Sequence, residues 1–214
     1  FMKPKIGVLP LMLEDYLPLF PGIEKKQDSF ARTALRRLTH IADFTFPGIA
    51  KNRQQVLNTV NDFNKQDLDG ILILPLTYTQ GAYLAHGLRD NRLPLALALI
   101  QPEQTVRTDF TDLDYAVNQA IHGSQDDANC LMRWNIPCMY FAGNHEEPEF
   151  AEFVDTFAQA AAATKAVKKM RIGVIGKLQG MGDVYTDDMA VLRDLGVELS
   201  YDSIGTIHSY CTAV

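Results

Sequence analysis

Asp69-Gly70-Ile71-Leu72-Ile73-Leu74 is apolar at every position after its glycine. A strand with one wet face alternates apolar and polar residues, whereas a strand covered by helices on both faces does not. The run therefore reads as a central parallel strand. Polar residues begin where it stops, with Thr77-Tyr78-Thr79-Gln80, and Gly81 to Leu88 then reads as a helix.

The same alternation extends outward in both directions. Upstream, Lys5 to Leu9 is a short strand that runs into a loop carrying Pro10, Pro18 and Pro21. Phe30, Ala34, Leu38 and Ile41 then recur at helical spacing from Ile23 onward. Phe44 to Phe46 is a second strand, stopped by Pro47-Gly48, and Asn52 is placed to cap a helix carrying Val56, Leu57, Val60 and Phe63. Downstream, Pro94 precedes a buried strand, Leu95 to Ile100. The connection from Pro102 to Leu113 has no period and is long for a crossover, which marks it as a ligand loop or subunit contact. A helix from Leu113 through Trp134 with a break near Gly123, a fifth strand over Pro137 to Phe141, and an alanine-rich helix over Glu147 to Lys169 follow. That last helix presents Phe150, Phe153, Val154, Phe157 and Ala161 on one side and spans roughly 34 Å.

The expected fold class is α/β, a doubly wound, Rossmann-like parallel sheet over residues 1–169. Residues 170–214 read as the start of a second α/β domain: a strand from Arg171 to Ile175, a glycine-rich loop, a helix from Thr186 ended by Gly196, and a strand over Val197 to Tyr201. A β-α-β piece of that length does not bury both faces of its own sheet. The expectation is an N-terminal part of a longer protein, whose second piece is poorly ordered alone or paired with another chain. Phe1, ahead of Met2, reads as a remnant before the native start.

At 214 residues, 47% hydrophobic and a formal charge of −6, the chain is long enough for one good core and unsuited to nucleic acid, with no basic block interleaved with aromatics. Cys130, Cys138 and Cys211 form no Cys-x-x-Cys pair and no disulfide framework, which points to a reducing, cytoplasmic setting. No run approaches about 18 consecutive apolar residues, so no membrane span is expected.

Ligands of open parallel sheets bind beyond the carboxyl ends of the strands. That rule gathers Leu13 to Tyr16, Thr77 to Gln80, Gln101, His122 and Asn144 to Glu146, which are hydroxyls, amides and imidazoles suited to a polyol. Gly176 to Asp183 follows a strand, but it matches neither the phosphate-loop nor the dinucleotide glycine spacing and reads as a turn. Asn144-His145-Glu146-Glu147 suits helix capping better than a metal, since consecutive side chains rarely converge on one ion. His40, His86 and His208 read as structural or surface residues, and Cys130 and Cys138 as small buried thiols. His122, with Gln119 one turn earlier, is the histidine with the strongest claim to a ligand, against the plainer reading of a helix-end histidine bonded to backbone.

Asn118-Gln119-Ala120-Ile121-His122-Gly123, between a long loop and a strand leading to Gly143, resembles the Asn-Gln-Ser-Ala-His-Gly signature of the L-arabinose isomerase family. Gly70 to Leu74 followed by Thr77-Tyr78-Thr79 resembles the family's strand and its Thr-Phe-Ser turn. Met181-Gly182-Asp183-Val184 resembles its second-domain opening, and Tyr16 falls near the first-loop tyrosine. The resemblance implies an aldose-ketose isomerase of the arabinose/fucose isomerase superfamily, a divalent metal, usually manganese, for the full-length enzyme, and a homo-oligomer whose N-terminal domains complete a neighbour's pocket. It implies Tyr16, Tyr78, Gln119, His122 and Met181 as sugar contacts. It also implies that no catalytic or metal-binding residue lies in this chain, which alone is expected to be inactive. Two departures stand against L-arabinose itself: Leu11 to Glu14 holds no counterpart of the family's first-loop glutamine, and Tyr78 replaces a phenylalanine. The alternative is a non-catalytic sugar-binding or regulatory module on the same scaffold. A flavin- or nucleotide-binding, flavodoxin-like domain is the weakest alternative.

Overall fold

In a computed structural model, which describes residues 3–176 and 187–212, the chain divides into two compact units, Phe1–Ala162 and Ala163–Val214. The first holds a five-stranded sheet in the order β2-β1-β3-β4-β5, every pair parallel. Its strands are β1 (Lys5–Leu11), β2 (Asp43–Thr45), β3 (Gly70–Pro75), β4 (Leu95–Leu99) and β5 (Met139–Ala142). The connecting helices are α1 (Tyr16–Leu19), α2 (Ile23–Arg36), α3 (Arg53–Lys65), α4 (Gly81–Leu88), α5 (Asp112–Val117), α6 (Ala120–Arg133) and α7 (Pro148–Val167).

Alternation along each strand sorts its residues onto two helical layers. Val8, Leu72, Leu74, Ala96 and Ala98 face α2, α5 and α7, whereas Leu9, Leu11, Ile71, Ile73, Leu95 and Leu97 face α3, α4 and α6. This is why β3 is apolar throughout: all six of its residues are buried. Alanines on β4 leave room on the first side for Phe150 and Phe157 of α7, both buried to within 2%.

β1 runs two residues beyond the expected Leu9 and passes through Pro10. The last pair between β1 and β2 is Gly7 with Thr45, so the N–H that proline lacks falls on a side where the neighbouring strand has already ended. There the Pro10 carbonyl accepts a bond from Ala50 N at 2.9 Å. Asn52 caps α3 as its position predicts, its side chain accepting from Gln55 N at 3.0 Å. Replacing Asn52 by Ala is expected to cost about 1 kcal/mol in urea denaturation, with little change in the dependence on denaturant.

The larger departure lies between α5 and α6. The expected break near Gly123 is instead at Asn118 and Gln119, and Gly123 sits inside α6. A Cβ on Gly123 would lie 2.5 Å from Thr79 N and 2.6 Å from Thr79 Oγ1. The glycine lets two backbones touch and makes no turn.

The second unit contains β6 (Arg171–Ile175), α8 (Asp188–Leu195), β7 (Glu198–Asp202) and α9 (Ile204–Thr212), with β6 and β7 parallel. α8 ends at Gly196 in the left-handed conformation, φ 73°, as read from the sequence. Ile175, Met189, Ile204 and Tyr210 are each more than 60% exposed. Among the described residues, two strands and two short helices provide no second layer for these side chains.

Candidate functional site

The strand order places a switch point between β1 and β3, because the chain leaves β1 toward β2 on one side and continues from β3 to β4 and β5 on the other. Crevices in open α/β sheets form at that point, beyond the carboxyl ends. Here the loops after β1 and β3 are stitched together: Leu13 N donates to Thr77 Oγ1 at 3.1 Å, and Thr77 Oγ1 donates to the Tyr78 carbonyl at 2.9 Å. A small cleft beside them is lined by Met12, Leu13, Asn52, Thr79, Gln80 and Tyr83.

The connection after β4 crosses the same edge. α5 packs with α2 and α6 packs with α4, so the chain crosses the carboxyl edge of the sheet at Asn118 and Gln119. Gln27, fully buried on α2, fixes the start of that crossing by donating from Nε2 to the carbonyls of Leu76 and Val117. Asn118 fixes it from the other side, accepting from Glu103 N at 2.9 Å and donating to the Asp114 carbonyl at 2.8 Å. The long loop is thereby tied down, and Arg107 adds pairs to Glu103 and Asp109 at 3.1 Å.

Gln119 immediately precedes α6, and its side chain, which makes no capping bond to the helix, accepts from the Tyr16 hydroxyl at 2.5 Å, a bond spanning 103 residues. Burial, and then the nearby Tyr115, raise the Tyr16 pKa. Tyr78 donates to Asp126 Oδ2 at 2.8 Å. That hydrogen bond first, then burial, then the charges of Asp126 and Asp127, and last the Tyr16 phenol, raise the Tyr78 pKa. His122 lies in the first turn of α6, exposed, in no hydrogen bond with the described residues. The structure therefore joins Tyr16 to Gln119, sets Tyr78 nearby and leaves His122 free at the same edge. Met181 lies outside the described residues, as does most of the glycine-rich loop.

Two carboxylates of α6 also belong to this edge. Asp126 holds Tyr78, and Asp127, fully buried, accepts from Thr79 Oγ1 at 2.8 Å. Burial pushes the Asp127 carboxyl up to about 7, against the opposing bond from Thr79 and with a smaller push from Asp126. The available signal was spacing: Asp127 follows Gly123 by four residues, so it shares the helix face that meets the turn.

The remaining candidates do other work. Asn144 Oδ1 accepts from Glu146 N at 2.8 Å, Glu146 pairs with Arg37 at 3.3 Å, and His145 meets Phe30 edge-on with ring centroids 5.0 Å apart. Cys138 is a thiol whose pKa burial pushes up to about 12, which favours the protonated form over the thiolate. Among the described residues, no group of three or more His, Cys, Asp or Glu side chains could hold a metal ion, and no helix is long and apolar enough to cross a membrane.

Comparison with known proteins turns on the region that builds this edge. The family model for the L-arabinose isomerase N-terminal domain matches residues 23–169, more than half of the chain. The chain belongs to that family. The match contains Tyr78, Gln119 and His122 and leaves Tyr16 and β6 onward outside it. Similar proteins include the L-arabinose isomerase of Bifidobacterium adolescentis, 28% identical over 104 residues, which are 48% of this chain and 21% of that protein. The L-arabinose isomerase of a Nocardioides species is 26% identical over 133 residues, 61% of this chain and 26% of that protein. The match thus spans only about a fifth to a quarter of these relatives. In this member of the family, a doubly wound parallel sheet presents hydroxyl, amide and imidazole groups at one edge and no metal-ligand set among the described residues.

Proposed function

We propose that the chain is the N-terminal part of a metal-dependent aldose-ketose isomerase, and that Tyr16, Tyr78, Gln119 and His122 line its sugar site. One observation carries the reading: the Tyr16–Gln119 bond brings the loop after β1 and the start of α6 together at the switch point, beside the free imidazole of His122. Hydroxyl and amide groups that both donate and accept suit the vicinal hydroxyls of an open-chain sugar. Their contribution is orientation, which fixes the carbon skeleton while a proton moves between adjacent carbons. The described residues do not fit a divalent metal. In this reading manganese and the proton-moving carboxylates belong to another part of the protein, which works in the cytoplasm as a homo-oligomer whose neighbouring copies complete each site.

The test is titration of the chain with L-arabinitol, an open-chain polyol, followed by tyrosine fluorescence. Tyr16→Phe is expected to weaken binding roughly 3- to 10-fold, the equivalent of one net hydrogen bond. His122→Ala is expected to weaken it comparably while shifting stability by no more than about 0.5 kcal/mol, because the ring is exposed and unbonded. Wild-type binding unaffected by either substitution removes these residues from the site. Polyol binding by a full-length protein that forms no ketose with manganese present leaves a sugar-binding module.

A further inference from the structure

Two consecutive residues of the turn before α4 grip two consecutive residues of α6. Tyr78 reaches Asp126 at the surface, and Thr79 reaches Asp127 in the interior, each at 2.8 Å. The inner bond leaves Asp127 Oδ1 buried with no partner, and Ser124 Oγ, one turn earlier on the helix, is buried and unpartnered as well. There is no slack around this contact. Gly123 lies against the Thr79 backbone, and a Cβ on Gly81 would come within 2.4 Å of the Asp126 carbonyl oxygen.

A negative charge on Asp127 is poorly met here. The titratable groups that face it are Asp126 on its own helix, Tyr78 in the turn and Cys138 in the segment before β5, and among the described residues no cation pairs with it. The Thr79 hydroxyl favours the charged form, but one hydrogen bond does not replace the water lost on burial. The charged form gains only by admitting water, and the packing admits water only if the turn moves off the helix.

We infer that Asp127 is a positioning residue whose neutral carboxyl, through Thr79, locks the Thr77–Gln80 turn onto α6, and whose ionisation releases the turn together with Tyr78. The inference rests on the sugar-site reading only for what Tyr78 touches. Burial places the transition at about pH 7. At acid pH the turn is held and Tyr78 stays against Asp126; as pH rises to that value the tyrosine side of the rim loosens, with no further loosening above it.

The test is backbone amide exchange of residues 77–81 in the whole chain from pH 5.5 to 8.5, corrected for the chemical exchange rate, with L-arabinitol binding measured on the same samples. Protection is expected to fall about tenfold or more from pH 5.5 and to level off near 7 in the wild type, to stay level throughout in Asp127→Asn, and to keep its fall in Asp126→Asn. Thr79→Val removes the bond that favours the charged form, so its levelling-off is expected at higher pH. Level protection in the wild type, or a fall that survives Asp127→Asn, overturns the inference. If Asp127→Asn does not fold, an unmoved levelling-off in Thr79→Val overturns it instead. Release without polyol binding at any pH keeps the lock and removes the sugar reading, whereas binding without release removes the lock and keeps that reading.

Discussion

Asp127→Asn is expected to be more stable than the wild type at pH 8 by roughly 3 kcal/mol relative to their difference at pH 5. The unfolded chain releases this proton near 3.8, while the folded chain holds it until about 7. Between those values the native state binds the extra proton, so each pH unit costs the wild type about 1.4 kcal/mol of stability. This is the reverse of an ordinary salt-bridged aspartate: the stability is present at acid pH and lost as pH rises to the folded value, with no further loss above it. Asparagine keeps an acceptor for Thr79 and has no proton to lose. At low pH an amide replaces a neutral carboxyl of nearly the same shape, and the two chains differ by about 1 kcal/mol or less. Urea denaturation of both proteins at half-unit steps from pH 4 to 8.5 checks this. Curves that run parallel over the whole range would show that Asp127 is ionised in the folded chain at acid pH.

Gly123→Val carries the second large effect, a loss of about 3 kcal/mol together with the rim. A Cβ at this position meets the backbone N and side-chain oxygen of Thr79 and, at 3.1 Å, the Thr77 carbonyl oxygen. Backbone atoms at the end of a central strand do not rotate away as a long side chain does, so the overpacking is relieved only by parting α6 from the turn. Parting them breaks Thr79–Asp127 and Tyr78–Asp126 at once. A glycine inside an exposed helix is normally improved by substitution, by up to about 1 kcal/mol toward alanine. Gly123→Ala is therefore expected to fall between the wild type and Gly123→Val. Thermal or urea denaturation of the three proteins, with L-arabinitol binding, gives the order; an alanine variant more stable than the wild type would refute the close approach.

Much of the fold is legible from short-range chemistry. The apolar run over β3, the Asn52 cap, the apolar stripe of α7 and the Gly196 stop are each decided within one or two turns of their own sequence, where hydrophobic period, capping oxygen and left-handed glycine act. The likeness of residues 118–123 to a known signature was equally local, and the family match over 23–169 bears out the family. Pairing at a distance was not legible. Gly123 looked like a break because helix propensity counts only the helix's own residues, and the reason for a glycine there is Thr79, which arrives from another strand. Sequence by itself determined the strands, most of the longer helices and their order, but not the short α1 or the terminal α9. Only the tertiary structure decided that Tyr16 meets Gln119 and that Thr79 covers Asp127, because those partners are set by the order in which parallel strands close into one sheet, and that order has no local signal.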